Sequence, residues 1–476
     1  MRLALLLAVA LLTAPALAQP LVVSEPEAQE GVAVTVYNGG FSLVREVRPL
    51  ALQRGPNVVR FEGVAAQIDP TTLALKSLTA PEAVAVREQN YQYDLIGRAS
   101  VLNAAVGEPI RLRRLFDDGR TEVLEGVLLS QPEQGLIVRL DDGRVLVNPA
   151  GEVELAALPT GLVSRPSLLW RLDVGRAGTH RTQVSYLTNG LAWEADYVAV
   201  VDAEEDAVDL TGWVTLNNQS GATYRDARLQ LMAGDVRRVQ DQQLRMRDFD
   251  VAMEAAAAQP AFQEEAFFEY HLYTLDGTTT LANRETKQLT LLSAPEAGVV
   301  RKLVIDPGGY YTPFFGRNAR PGAGGATVEY NAAVVLELQN TEANGMGMPL
   351  PAGTVRVYQA DRTGTLQFVG EDRINHTARN EPVRLYVGDA FDVIGTRREV
   401  ENRRISDRVR EQTVEVQVRN RKETPAEVTV VERLYGDWTI LSHSHAYTEL
   451  DARTIEFPLT LGPDETVTVR YTVRFQ

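Results

Sequence analysis

The chain has 476 residues, 44% of them hydrophobic, and carries a formal net charge of −15 at pH 7. That length supplies about three domains of ordinary size, and so acidic a surface repels phosphate backbones and anionic lipid, so no nucleic acid is expected as a partner. There is no cysteine, which removes thiol nucleophiles, Cys-ligated zinc and lipid attachment at an N-terminal Cys, and leaves stability to the core.

The chain opens with a targeting pattern. Arg2 precedes an unbroken apolar run from Leu3 to Leu12, and Ala16-Leu17-Ala18 supplies the small-x-small site that signal peptidase accepts. Residues 1–18 therefore read as a signal peptide, and the mature chain is expected to begin near Gln19. The run is too short for a stable anchor, and no later stretch offers the roughly 18 apolar residues of a spanning helix. The expectation is an exported protein, periplasmic or secreted, with no transmembrane segment.

Period-two alternation dominates the rest of the chain, without helix-period stretches of comparable length. VTVRYTVRF (Val467–Phe475) sets Val467, Val469, Tyr471, Val473 and Phe475 on one face and Thr468, Arg470, Thr472 and Arg474 on the other, the pattern of an antiparallel strand covering a core. The fold class is all-β, built from immunoglobulin-like β-sandwich units. Residues 19–90 form an N-terminal β segment. Residues 91–159 hold LFDDGRT (Leu115–Thr121) and RLDDGRV (Arg139–Val145), two Asp-Gly turns between alternating runs, which predict hairpins in a small inserted β-barrel of about five strands. A calcium loop needs acidic ligands at alternate positions, which neither stretch has. Sandwich units are expected over 160–239, 267–395 and 396–476. Between the first two, residues 240–266 carry no alternation, four consecutive alanines and Pro260, and read as a mobile or weakly helical insertion. In Thr396–Glu411 six arginines interleave with four acids, the mark of a solvated sheet face or edge.

Three strands end alike. VTLNN (Val214–Asn218), LELQN (Leu336–Asn340) and VQVRN (Val416–Asn420) each place an asparagine where alternation calls for another inward apolar side chain. A buried amide must be hydrogen-bonded, and asparagine both donates and accepts, so Asn218, Asn340 and Asn420 are expected to cap the loops leaving their strands. The rival reading, a shared binding site, conflicts with their wide separation in sequence.

GGYYTPFFGR (Gly308–Arg317) gathers Tyr310, Tyr311, Phe314 and Phe315 between turn formers. An aromatic loop of this kind contacts a protein partner or a glycan, or else folds back to plug the end of a sandwich. Trp193 and Trp213 stand in strand-like runs and read as core. No Gly-x-Ser-x-Gly elbow, His-Glu-x-x-His, phosphate loop or dinucleotide fingerprint occurs, so no cofactor and no catalytic residue is assigned. His443 and His445 share a strand face and could hold zinc with Glu449, but two surface histidines without a third ligand do not make a metal site. A carboxylate pair set by distance in space stays open as a hydrolase alternative.

VTVYNGGFSLVREVR (Val34–Arg48), LMAGDVRRV (Leu231–Val239), EYHLYTL (Glu269–Leu275), ETKQLTLL (Glu285–Leu292) and VGEDRINHTARNEPVRLYVGDAFDVIG (Val369–Gly395) resemble a bacterial family of exported proteins. That family is catalogued as a domain of unknown function and also forms the C-terminal part of mucoidy-inhibitor-A-like proteins. The resemblance covers most of the mature chain apart from residues 240–266. It implies a β-rich exported protein without an assigned activity. The expected function is a non-enzymatic interaction or envelope-scaffold role with an envelope protein or glycan as partner, against a carboxylate-dependent hydrolase or a glycan-binding module. Oligomeric state is open.

Overall fold

The computed structural model describes residues 21–116, 119–130, 135–159, 162–234, 236–237, 262–311, 319–321 and 327–476. The protein is all-β, with four sheets of 4, 5, 8 and 14 strands and one short α-helix, Arg98–Ala104, among the described residues. No helix there is long and apolar enough to cross a membrane. Alternation decides which face each strand buries: in the last strand, Thr466–Phe475, Val469, Tyr471 and Val473 are buried while Thr468 and Arg470 are exposed.

The inserted unit has its five strands, but they do not close. Pro109–Leu115, Thr121–Leu128, Ile137–Leu140, Val145–Val147 and Glu152–Leu155 form an antiparallel sheet whose end strands, Val145–Val147 and Glu152–Leu155, do not pair with each other. Closure needs strands long enough to tilt and stagger, and these end strands have 3 and 4 residues. The helix covers the sheet instead, setting Leu102 and Ala105 against Ile110, Leu128, Val138 and Leu140. The Asp141-Asp142-Gly143 turn forms the expected hairpin, with Gly143 at φ 89° and the Leu140 N–H donating to the Arg144 carbonyl.

Two expected boundaries move. Most of the stretch from Gln240 to Ala266 lies outside the described residues, but Phe262–Ala266 belong to a strand, Phe262–Phe267, paired antiparallel with Tyr270–Leu275. The partner strand and the burial of Phe262 hold in place a segment whose own pattern is too short to announce itself. The expected break between residues 395 and 396 falls inside a 23-residue strand, Pro382–Arg404. Gly388 and Gly395 resemble turn formers there, yet both lie within the ladder to Thr327–Gln339.

A three-fold repeat organises residues 207–475. Each unit has an opening strand, a crossing strand that does not pair with it, a return strand paired with the crossing strand, and a closing strand paired antiparallel with the opening one. The first unit uses Ala207–Asn218, Tyr224–Ala233, Thr279–Leu281 and Glu285–Ile305. The second uses Thr327–Gln339, Gly353–Ala360, Leu366–Ile374 and Pro382–Arg404. The third uses Arg410–Asn420, Ala426–Arg433, Thr454–Leu461 and Thr466–Phe475. The first two closing strands are long because each serves twice: Val299–Val304 also pairs with the second opening strand, and Val393–Arg404 with the third. One sheet therefore runs through all three units.

The strands enclose two large cores. The first gathers strands from the N-terminal segment and the first two units, with Trp170, Tyr186 and Tyr197 fully buried. The second lies in the third unit around Phe457 and Tyr471, whose rings stack at 5.6 Å. Trp193 is core as expected, whereas Trp213 is half-buried, because it sits out of register with the inward Val214 and Leu216. The arginine-rich stretch carries ion pairs whose arginines are exposed, such as Arg398 to Glu415 and Arg403 to the buried Glu411. Arg397 is the exception and turns inward to the buried Glu432.

Candidate functional site

The three asparagines occupy the same place in each repeat unit. Asn218 Nδ2 donates to the carbonyls of Ala222 (2.9 Å), Leu281 (3.1 Å) and Ala282 (3.0 Å), while its Oδ1 accepts from the Ser220 N–H and hydroxyl. Asn340 Nδ2 donates to Met348 (2.8 Å) and Ala378 (3.0 Å) and its Oδ1 accepts from the Gly347 N–H. Asn420 Nδ2 donates to Thr424 and Gly462, both at 2.9 Å, and to Leu461 at 3.4 Å, while its Oδ1 accepts from the Lys422 N–H. In every unit one amide ties the loop after the opening strand to the loop before the closing strand. All three side chains are at most 2% exposed, so they are not open to a ligand.

The described part of the aromatic loop packs inward. The Tyr310 and Tyr311 N–H groups donate to the Asp306 carboxylate at 3.0 and 2.7 Å, which turns the chain back over the sheet. Tyr311, 9% exposed, lies among Val304, Ala333, Val335 and Val431, and burial pushes its hydroxyl up to about 12. Tyr310 is half-buried and meets it edge-on at 4.9 Å. The Arg384 guanidinium stands 5.6 and 5.4 Å from the two rings, and Glu337 accepts from Arg384 (2.9 Å) and Lys302 (3.3 Å). Burial alone would raise the Glu337 carboxyl, but those two cations hold it below its ordinary value. Phe314 and Phe315 lie outside the described residues. Tyr311→Ala is therefore expected to lower stability by about 3 kcal/mol, the scale of an aromatic removed from a core, measured by denaturant melts; an unchanged melt would show that the ring is not packing.

His443 and His445 lie side by side on the surface, where His443 Nδ1 bonds the His445 carbonyl at 2.9 Å and the His443 ring meets Tyr447 edge-on. Buried carboxylates are paired: Glu46 with Arg48 at 2.6 Å, and Glu432 with Arg397 at 2.9 Å. Two carboxylate pairs stand close together: Asp202 with Asp206, where a side-chain hydrogen bond to Asp202 raises the Asp206 carboxyl, and Glu194 with Asp196. The latter two share the outer face of Leu191–Val201, and desolvation, then the charge of Asp196, push the Glu194 carboxyl up.

Sequence reading missed a cleft beside the second unit. At Gly370 the return strand Leu366–Ile374 touches the closing strand so closely that a Cβ would lie 2.0 Å from the Val387 carbonyl oxygen. Beside this contact, between Val369 and Val387–Asp389, lies a cleft of about 300 Å³, at the lower end for ligand pockets. Its floor is Val334, Leu336, Val357 and Val369, and its wall is Arg301, paired with Glu205 at 2.8 Å, beside Gln359. Glu205 has φ 61°, a left-handed conformation rare outside glycine. Nearby, Phe391 is 88% exposed at a break in register, where Asn331 pairs with Ile394 but Ala333 with Asp389. Such bulges re-aim a side chain. A second exposed ring, Phe268 at 86%, tips the Phe262–Leu275 hairpin with φ 59°.

A family model described as a domain of unknown function (DUF4139) matches residues 182–476, more than half of the chain and all three repeat units. No curated protein matches the chain.

Proposed function

We propose that this chain, which belongs to the DUF4139 family, is an exported protein of the cell envelope with a non-enzymatic interaction or scaffold role. The observation behind this reading is where its unusual groups lie. The hydroxyls of Tyr186, Tyr197 and Tyr471, raised by burial, sit inside cores, and the one raised carboxyl that lines the cleft among the described residues, Asp389, is lifted by desolvation and accepts from the Tyr386 hydroxyl at 2.8 Å. The molecule also turns large apolar groups to water, among them Phe391, Phe268 and the strand edge Leu366, Phe368 and Val369. Such surface is the chemistry of contact. Tyr310, Phe314 and Phe315 remain proposed contact residues on the sequence pattern alone, while Tyr311 packs in the core beside Tyr310. The targeting pattern at residues 1–18 and the resemblance of the five motifs between Val34 and Gly395 to a bacterial family of exported proteins support an envelope location.

Incubating the purified chain with peptidoglycan, envelope polysaccharide and envelope proteins tests the reading. Mass spectrometry is expected to find every component chemically unchanged while discrete complexes form on native gels. Conversion of any component, abolished by Glu194→Gln, would replace the scaffold reading with the hydrolase.

A further inference from the structure

We infer that the cleft between Leu366–Gly370 and Val387–Phe391 takes an extended, basic peptide segment of a partner protein, added as a strand with one aliphatic side chain in the pocket. The inference rests on the interaction role proposed for the chain and names its site.

The backbone comes first. Leu366–Ile374 ends the largest sheet and pairs only with Gly353–Ala360. The closing strand gains its second strand neighbour only at Val393, and the Asp392 carbonyl already accepts from the Arg421 N–H at 2.8 Å, so Gly388–Phe391 also has an edge without a strand. Exposed edges pair with other chains, and proteins normally guard them with charge, proline or cover. Leu366-Gln367-Phe368-Val369-Gly370 has neither charge nor proline, and Leu366, Phe368 and Val369 are 52, 56 and 42% exposed. One unguarded edge beside a second that carries only the acids Asp389 and Asp392 invites addition of a strand bearing basic side chains, in which main-chain bonds give affinity and a pocket for alternate side chains gives selectivity.

The pocket is kept open at one position. Gly388 pairs with Val334 across the ladder, so a side chain at 388 would share the face of Val334, which floors the cleft. A Cβ there meets nothing within 4 Å, and Gly388 is not in the left-handed region. Glycine at this point supplies space. Valine and leucine on the floor fit an aliphatic group, while the amide of Gln359 and the Arg301–Glu205 pair at the wall suit the flanking peptide groups. The net charge of −15 favours a basic segment over an acidic one.

The test is calorimetric titration of the chain from Gln19 with a blocked seven-residue peptide that alternates valine with lysine and threonine. One-to-one binding is expected, weakened at least tenfold by N-methylating the central amides of the peptide or by replacing its lysines with glutamate. Gly388→Leu fills the pocket and Val369→Lys guards the edge; each is expected to weaken binding at least tenfold with melting unchanged. Absence of binding, or binding indifferent to N-methylation and to both variants, would overturn the inference. Dodecylamine binding as tightly as the peptide would overturn it too, since apolar filling alone would then suffice. Failure of the peptide while envelope components stay unconverted sinks this site only; conversion of those components sinks the scaffold reading.

Discussion

Asn420→Ala is expected to cost about 2–3 kcal/mol of stability, because it strands buried carbonyls in two loops at once and leaves the Lys422 N–H without its acceptor. Asn218→Ala and Asn340→Ala are expected to match it within about 1 kcal/mol, since each removes the same tie between the same two loops of its unit. Asn→Asp at these positions should be as harmful, since a carboxylate offers no donor to the carbonyls. Denaturant melts of the single variants measure this. Three melts indistinguishable from the parent would show that water replaces the amides and that the repeat is held by strand pairing alone.

Arg397→Leu is expected to cost about 3–5 kcal/mol, the scale of a buried ion pair broken from one side. The Glu432 side chain is 3% exposed and accepts from Arg397 Nε (2.9 Å) and Nη2 (3.1 Å) and from the Tyr471 hydroxyl (2.8 Å). Burial works against the Arg397 charge, but Glu432 outweighs it and raises the guanidinium above its ordinary value. Adding Glu432→Leu to the same chain should recover most of the loss, because two apolar side chains leave no unpaired charge in the core around Phe457. A loss under about 1 kcal/mol for Arg397→Leu would mean that solvent reaches Glu432 and that the pair is not part of the core.

Strand alternation carries the all-β class directly, and it also places the three asparagines, because a period of two assigns a face to every residue once its neighbours are known. Val416, Val418 and Asn420 point inward as the pattern requires. The double use of Glu285–Ile305 and Pro382–Arg404 is not legible: nothing local distinguishes a strand that pairs twice from two strands joined at Gly395. The inserted sheet misleads for a similar reason, since two Asp-Gly hairpins fix local pairing but not whether the end strands meet. The cleft depends on how Leu366–Ile374 and Pro382–Arg404 meet, which a register break at Ala332 and contact at Gly370 decide. Gly388 and Phe391 look in the sequence like an ordinary turn former and an ordinary strand residue. Only the ladder shows that one leaves a hole and the other has no cover.

The most direct test of a binding scaffold is hydrogen exchange on the chain from Gln19, with and without the valine–lysine peptide, followed by mass spectrometry. Strand addition at the cleft predicts slowed exchange confined to the segments containing Leu366–Gly370 and Gly388–Phe391, with the peptide recovered intact. Protection spread evenly over the three units, none at these two edges, or a cleaved peptide would contradict it.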